Sequence, residues 1–172
     1  YEGGFRNGLR DGEGTLLHKG GDTYSGGWKN DLRHGQGTFS AADGFRYEGS
    51  WVAGRMTGTG SITYPDGAVY VGGLKDDQPQ GKGAITYPDG SGYDGDWQGG
   101  VMTGQGRATY ADGRAYEGGV KSGLPHGVGV TTEPSGYRYE GNWVDGQRQG
   151  VGSATFADGS TYKGTFKAGL RD

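Results

Sequence analysis

A tyrosine returns every 23 residues along this chain, at 1, 24, 47, 70, 93, 116, 139 and 162, and a glycine stands two residues after each of them. A period of that length marks a supersecondary unit too small to bury a core alone, so the chain must fold as stacked repeats in which each unit leans on its neighbours. Seven complete units fill residues 1–161 and an eighth runs from Tyr162 to Asp172. The array reads as one continuous domain over 1–172, an excerpt of a longer array, because a natural end usually carries an atypical polar capping repeat.

Each unit is numbered here from its tyrosine. Position 3 is glycine in every unit, and positions 12, 14 and 21 are glycine in all seven complete ones. Position 5 is bulky (Phe5, Trp28, Trp51, Leu74, Trp97, Val120, Trp143, Phe166), and position 18 is aromatic as Tyr64, Tyr87, Tyr110 and Phe156. Alternation of positions 1, 3 and 5 with polar 2 and 4, and of 12, 14, 16 and 18 with 13, 15 and 17, has the two-residue period of strands. The expected unit is a β-hairpin with a loop at positions 6 to 11 and a tight turn at the Asp-Gly pairs of positions 20 and 21, such as Asp66-Gly67, where Asp favours positive φ.

Glycine inside a strand weakens it unless something covers the bare backbone. Rings at positions 1, 5 and 18 are expected to lie over the glycines at 3, 12 and 14, so Tyr47, Gly49, Gly58, Gly60 and Gly67 of one unit are read as structural. The fold class is then all-β: an elongated, single-layer, twisted antiparallel sheet of consecutive hairpins. It would be about 70 Å long, with one aromatic and one polar face.

Composition narrows the function classes. Forty-two glycines, 30% hydrophobic residues and a mean hydropathy of -0.80 suit no ordinary globule, yet aromatics kept in phase argue against disorder. Without cysteine, disulfides and thiolate metal sites are excluded. No apolar run approaches the length that spans a bilayer. A net charge of -3 lacks the basic footprint of a nucleic-acid binder, so no nucleic-acid partner is expected.

The unit reads Tyr-Glu-Gly-x-Trp-x-x-Gly-x-x-x-Gly-x-Gly, then five residues and Asp-Gly, and the stretches from Tyr47 to Gly54 and from Tyr139 to Gly146 match its opening in full. This closely resembles the MORN repeat family over the whole chain. Asp31 and Asp77 depart from it in place of the position-8 glycine, as do Leu74 and Val120 in place of the tryptophan. The resemblance implies a sheet of consecutive hairpins used as a scaffold, a dimerisation element or a membrane-proximal adaptor, sometimes beside an enzymatic domain. Headgroup binding and groove recognition of a partner's helix or extended segment are further family themes.

Candidate chemistry is sparse. Only His18, His34 and His126 could act as bases near neutral pH, and none sits in a catalytic constellation; His34 and His126 share position 11 four units apart, about 40 Å at two strands per unit. One aspartate per 23 residues has neither the nonapeptide nor the EF-hand spacing of a calcium site. Gly12-x-Gly14 lacks the lysine and helix of a phosphate loop and reads as packing glycine. No catalytic residue, metal site or cofactor is therefore expected.

Two surfaces remain. Positions 6 to 11 gather ten of the 17 basic residues against six acids: Arg6, Arg10, Lys29, Arg33, Arg55, Lys75, Lys121, Arg148, Lys167 and Arg171. The Asp-Gly edge carries five aspartates and one lysine. The basic edge is the candidate site for anionic lipid headgroups. The aromatic groove, with Trp28, Trp51, Trp97 and Trp143 and with Tyr64, Tyr87 and Tyr110, is the candidate face for a protein partner or for a second copy in a homodimer, since one layer is not expected to bury both sides. The expected function is non-catalytic scaffolding through that face. The alternatives are peripheral membrane binding, at the edge of a cytoplasmic compartment, and an accessory role beside an enzyme.

Overall fold

The structure, a computed structural model, describes residues 1–172 and is all-β. Sixteen strands follow one another in chain order, from β1 (Glu2–Arg6) to β16 (Leu170–Arg171). They fall into two compact units, Tyr1–Pro88 and Asp89–Asp172. Inside each unit every strand pairs antiparallel with the next. The hairpin repeat is thus as expected, but its turns are exchanged.

In the third repeat, β5 (Arg46–Val52) and β6 (Arg55–Thr63) are joined by only two residues, Ala53 and Gly54, with φ of 48° and 84°. Positive φ at both central positions is the type I′ geometry whose twist suits a two-residue hairpin. The tight turn therefore sits at positions 7 and 8. The Asp-Gly segment is instead a five-residue connection, Tyr64 to Ala68, in which the Tyr64 N–H donates to Ala68 O at 2.8 Å and the Gly67 N–H to Tyr64 O at 2.9 Å. Asp66 does not take the positive φ expected of it; Gly67 does, at 89°. Asp66 contributes a carboxylate that accepts the Ala68 N–H at 3.0 Å, the local side-chain bond by which Asp stabilises loops.

The strands are also bent. Gly49 pairs with Gly60 and Ser50 with Thr57, so one step along β5 spans three along β6. Two extra residues form a bulge, and Gly58 within it has φ of 69°. The position-12 glycines are therefore bulge residues, not the packing glycines expected: a Cβ on Gly12, Gly35 or Gly81 would meet nothing within 4 Å.

Packing falls to position 14. A Cβ on Gly60 would run into the Tyr47 ring, and one on Gly49 would lie 2.8 Å from Gly60 Cα. The Tyr47 hydroxyl donates to Ser50 O at 2.9 Å, and Trp51 Nε1 reaches back to Gly37 O of the preceding repeat at 3.1 Å. Trp51 meets Tyr47 edge-on at 5.0 Å and Tyr24 at 5.4 Å. The second unit repeats this with Trp143 against Tyr116 and Tyr139, both at 5.3 Å. Such rings bury about 150–250 Å² each, worth about 4–6 kcal/mol of transfer free energy before entropy. They are the core: Tyr47 is 0% exposed and Trp51 2%.

Candidate functional site

The aromatic residues expected to form one open groove divide into an inner and an outer row. Trp28, Trp51, Trp97 and Trp143 are 2–9% exposed and unavailable to a partner, which corrects the expectation that a single layer leaves them open. The bulge explains it, because a bent strand lets rings of adjacent repeats interlock edge to face instead of lying flat. The outer row is more open. Tyr64 and Tyr87 are half-buried and Tyr110 is 37% exposed.

The outer row is larger than the sequence suggested. Position 22 contributes Phe45 and Tyr137, and position 16 contributes Phe39. In the first unit Phe45 stands 6.2 Å from both Phe39 and Tyr64. In the second, Tyr137 and Phe156 meet at 5.6 Å and 56°. That pair lines an open cleft of about 400 Å³ with Glu133, Arg148, Ala154, Gly169, Leu170 and Arg171. Position 16 is the small Ala154 here, where the first unit has Leu16, Phe39, Ile62 and Ile85.

Arginines expected on the basic edge lie instead over the inner row, a placement the sequence did not disclose. Position 10 runs Arg10, Arg33, Met56 and Pro79 in the first unit and Met102, Pro125, Arg148 and Arg171 in the second. The Arg10 and Arg33 guanidinium carbons stand 4.1 Å from the ring centroids of Trp28 and Trp51, one repeat ahead. Their Nη2 atoms donate to the position-8 carbonyls of that next repeat, Asp31 at 3.0 Å and Gly54 at 3.3 Å. Burial pushes the Arg33 pKa below its usual value. Arg148 reaches forward in the same way as Arg10 and Arg33, bonding Tyr137 Oη and donating to Gly169 O at 2.7 Å.

The basic edge is consequently not one surface. Position 10 pairs with position 5, and position 6 with position 9, and alternate residues point to opposite faces. Arg10, Arg33, Arg148 and Arg171 share the face of the rings, whereas Arg6, Lys29, Lys75, Lys121 and Lys167 are exposed on the other face, with Arg55 at position 9. Each of these has a cross-strand neighbour, and many are aliphatic and open: Leu9 39% exposed, Leu32 49%, Val52 53%, Leu124 48%.

The two position-8 aspartates have a role as well. Asp31 Oδ1 accepts the Arg10 N–H at 2.8 Å and Asp77 Oδ1 accepts the Met56 N–H at 2.8 Å, while the N–H of each aspartate returns to the same residue's carbonyl. Those bonds hold the Asp31 carboxyl below its usual range. His126 Nδ1 lies 3.5 Å from Asp145 Oδ1, and His34 belongs to the other unit.

A family model described as the MORN repeat matches seven stretches: residues 1–23, 24–46, 47–69, 70–92, 93–113, 116–136 and 139–161. No curated protein matches in sequence. Among solved structures, the chain is similar to the SAS-4 (dCPAP) TCP domain of Drosophila melanogaster, solved in complex with a proline-rich motif of Ana2 (dSTIL). The TM-score is 0.56 at 12% identity over 91% of this chain and 85% of that one, a likeness of fold. The TCP10 domain of Danio rerio CPAP is matched at a TM-score of 0.39 and 19% identity, over 92% of this chain and 79% of that one.

Proposed function

This chain belongs to the MORN repeat family, and from that premise we propose that it is a non-catalytic protein-binding scaffold that holds an extended segment of a partner along its outer aromatic row. The observation that carries this reading is the row itself: Phe39, Phe45, Tyr64 and Tyr87 in one unit, and Tyr110, Tyr137 and Phe156 in the other, come from positions 16, 18 and 22 and are left half-buried or open. Rings needed only to cover glycine would be sealed, as the inner row is. Half-exposed aromatics grouped on one face are the usual anchors of protein interfaces. A structure of similar fold holding a proline-rich motif of Ana2 supports an extended segment as the occupant.

Selection of displayed linear peptides against the array tests the reading, with a counter-selection against Tyr64→Ala and Phe156→Ala variants. Peptides that are enriched on the array and lost on the variants support it. Enrichment indifferent to both substitutions, or none, sinks it.

The exposed face of the tight turns supports a second reading, peripheral membrane binding. There Lys29 faces Leu32, Lys121 faces Leu124 and Arg55 faces Val52 across the strands. Cation and aliphatic side by side suit an anionic lipid surface, at about 1 kcal/mol per basic residue near the membrane. Co-sedimentation with vesicles containing phosphatidylserine, weakened by salt and by Leu32→Ser with Leu124→Ser, is its expected result.

A further inference from the structure

The outer row of the first unit has a period, and the period selects what can lie on it. Tyr64 and Tyr87 occupy the same position one repeat apart, with Phe45 and Phe39 preceding them. Two strands at about 4.8 Å each advance the row by about 9.6 Å per repeat. A polyproline II segment has three residues per turn and rises about 3.1 Å per residue, so its like-facing side chains recur every 9.3 Å or so. A β-strand presents like faces about every 6.8 Å and an α-helix turns about every 5.4 Å, and neither keeps step with the repeats over several units.

Charge supplies the second criterion. The loops that carry this row also carry Asp22, Asp43 and Asp66, whose Oδ1 atoms accept the N–H groups of Ala42, Phe45 and Ala68 at 3.0, 2.9 and 3.0 Å. These bonds fix each carboxylate in place and leave Oδ2 outside them. The guanidinium groups on this face are committed, Arg10 to Trp28 and Asp31, Arg33 to Trp51 and Gly54 O. Lys19 is the one lysine on these loops against the three aspartates, so the edge is net acidic and aromatic.

We propose that this edge of the first unit takes a basic, proline-rich segment in the polyproline II conformation, with prolines three residues apart seated against the rings of successive repeats and lysine or arginine between the prolines facing Asp22, Asp43 and Asp66. The assignment rests on the scaffold reading above and names its partner class. Proline suits the site because its flat ring packs on aromatic faces and its chain enters already extended, with little conformational entropy to lose.

The test is fluorescence polarisation with three labelled peptides on the whole chain: (Pro-Lys-Ala)4, whose 12 residues span about 37 Å, the off-period (Pro-Lys-Ala-Ala)3, and the acidic (Pro-Glu-Ala)4. The first should bind at least tenfold tighter than either control. Tyr64→Ala should weaken it about fivefold or more, and so should Asp43→Asn with Asp66→Asn. Alanine stands naturally at the register of Tyr64 in the preceding repeat, as Ala41, and asparagine keeps the backbone-accepting oxygen, so these variants should keep the wild-type melting curve. Equal affinity for the off-period peptide, or indifference to the substitutions, overturns the assignment. If displayed peptides without proline occupy the row and these do not, the scaffold reading stands and this one falls; if no peptide binds in either experiment, both fall.

Discussion

Two successive joints of the first unit do the same job with different chemistry. Where the second repeat meets the third, Arg33 lies over Trp51, which also stands edge-on to Tyr24 and donates to Gly37 O. Where the third meets the fourth, the corresponding residues are Met56 and Leu74; there is no indole N–H and no cation, yet Leu74 is as buried as the indoles, at 4%. The backbone clasp is common to both: Gly54 N–H to Arg33 O at 2.9 Å and Asp77 N–H to Met56 O at 3.1 Å. The fold thus requires an apolar body at position 5 and a clasp at position 8. What stands ahead of that body varies with it: arginine precedes Trp28, Trp51 and Phe166, methionine precedes the aliphatic Leu74 and Val120, and proline precedes Trp97 and Trp143. Met102 ahead of Val120 repeats the second solution, its Cε 3.5 Å from the Cβ position of Gly123.

The largest expected effect is one both joints share. Burial raises the pKa of Tyr24, Tyr47 and Tyr70 to about 12, and of Tyr116 in the second unit likewise. Unfolded phenols ionise near pH 10, so the native state holds protons the unfolded chain has lost. Stability is therefore intact below about pH 10 and falls as pH rises toward 12. Of the twelve tyrosines, this buried set should add its 295 nm absorbance in one cooperative step with loss of strand signal. Ionisation of all twelve near pH 10 in a folded array would show the inner rings are accessible and refute the burial. Gly60→Ala probes the backbone between the joints. The new methyl meets the Tyr47 ring and should cost about 3 kcal/mol in urea unfolding, whereas Gly35→Ala, with open space but φ of 77°, should cost about 1–2 kcal/mol.

Much of this was legible in the residues. The 23-residue phase, the alternation and the paired rows of glycine and aromatic yield the all-β hairpin array without coordinates. Turn identity did not follow, because Asp-Gly serves tight and wide turns alike, while the true type I′ positions vary as Asn7-Gly8, Asn30-Asp31, Ala53-Gly54 and Asp145-Gly146. An in-phase glycine does not disclose whether it is bare for packing, as Gly60 is, or left-handed in a bulge, as Gly58 is. That bulge is also why the tryptophans vanish into the core. The role of position 10 escaped notice because its arginines read as part of the basic edge and Arg, Met and Pro share a place and no chemistry. Phe45 and Tyr137 escaped because position 22 is aromatic in only two units.

Truncation sharpens the comparison between joints. Trp51→Ala should cost about 3–5 kcal/mol and Leu74→Ala about 2–5 kcal/mol, and hydrogen exchange should place each loss at its own joint, since a repeat array unfolds by neighbours. Loss spread evenly over both would mean the joints are not separable units.

The smallest effect is the most specific. If the guanidinium of Arg33 is held by the π face of Trp51, then Trp51→Leu alone leaves a half-buried charge without its partner, and Arg33→Met alone leaves the indole without its cation. The double variant restores the pairing already present as Met56 and Leu74. A double-mutant cycle should therefore show a favourable Arg33–Trp51 coupling of about 1 kcal/mol, with the double variant more stable than the sum of its singles predicts. Strict additivity would mean that Arg33 is held by its hydrogen bond to Gly54 O and the aliphatic stem of its side chain. Met would then follow Leu and Val at the other joints for no reason that the ring supplies.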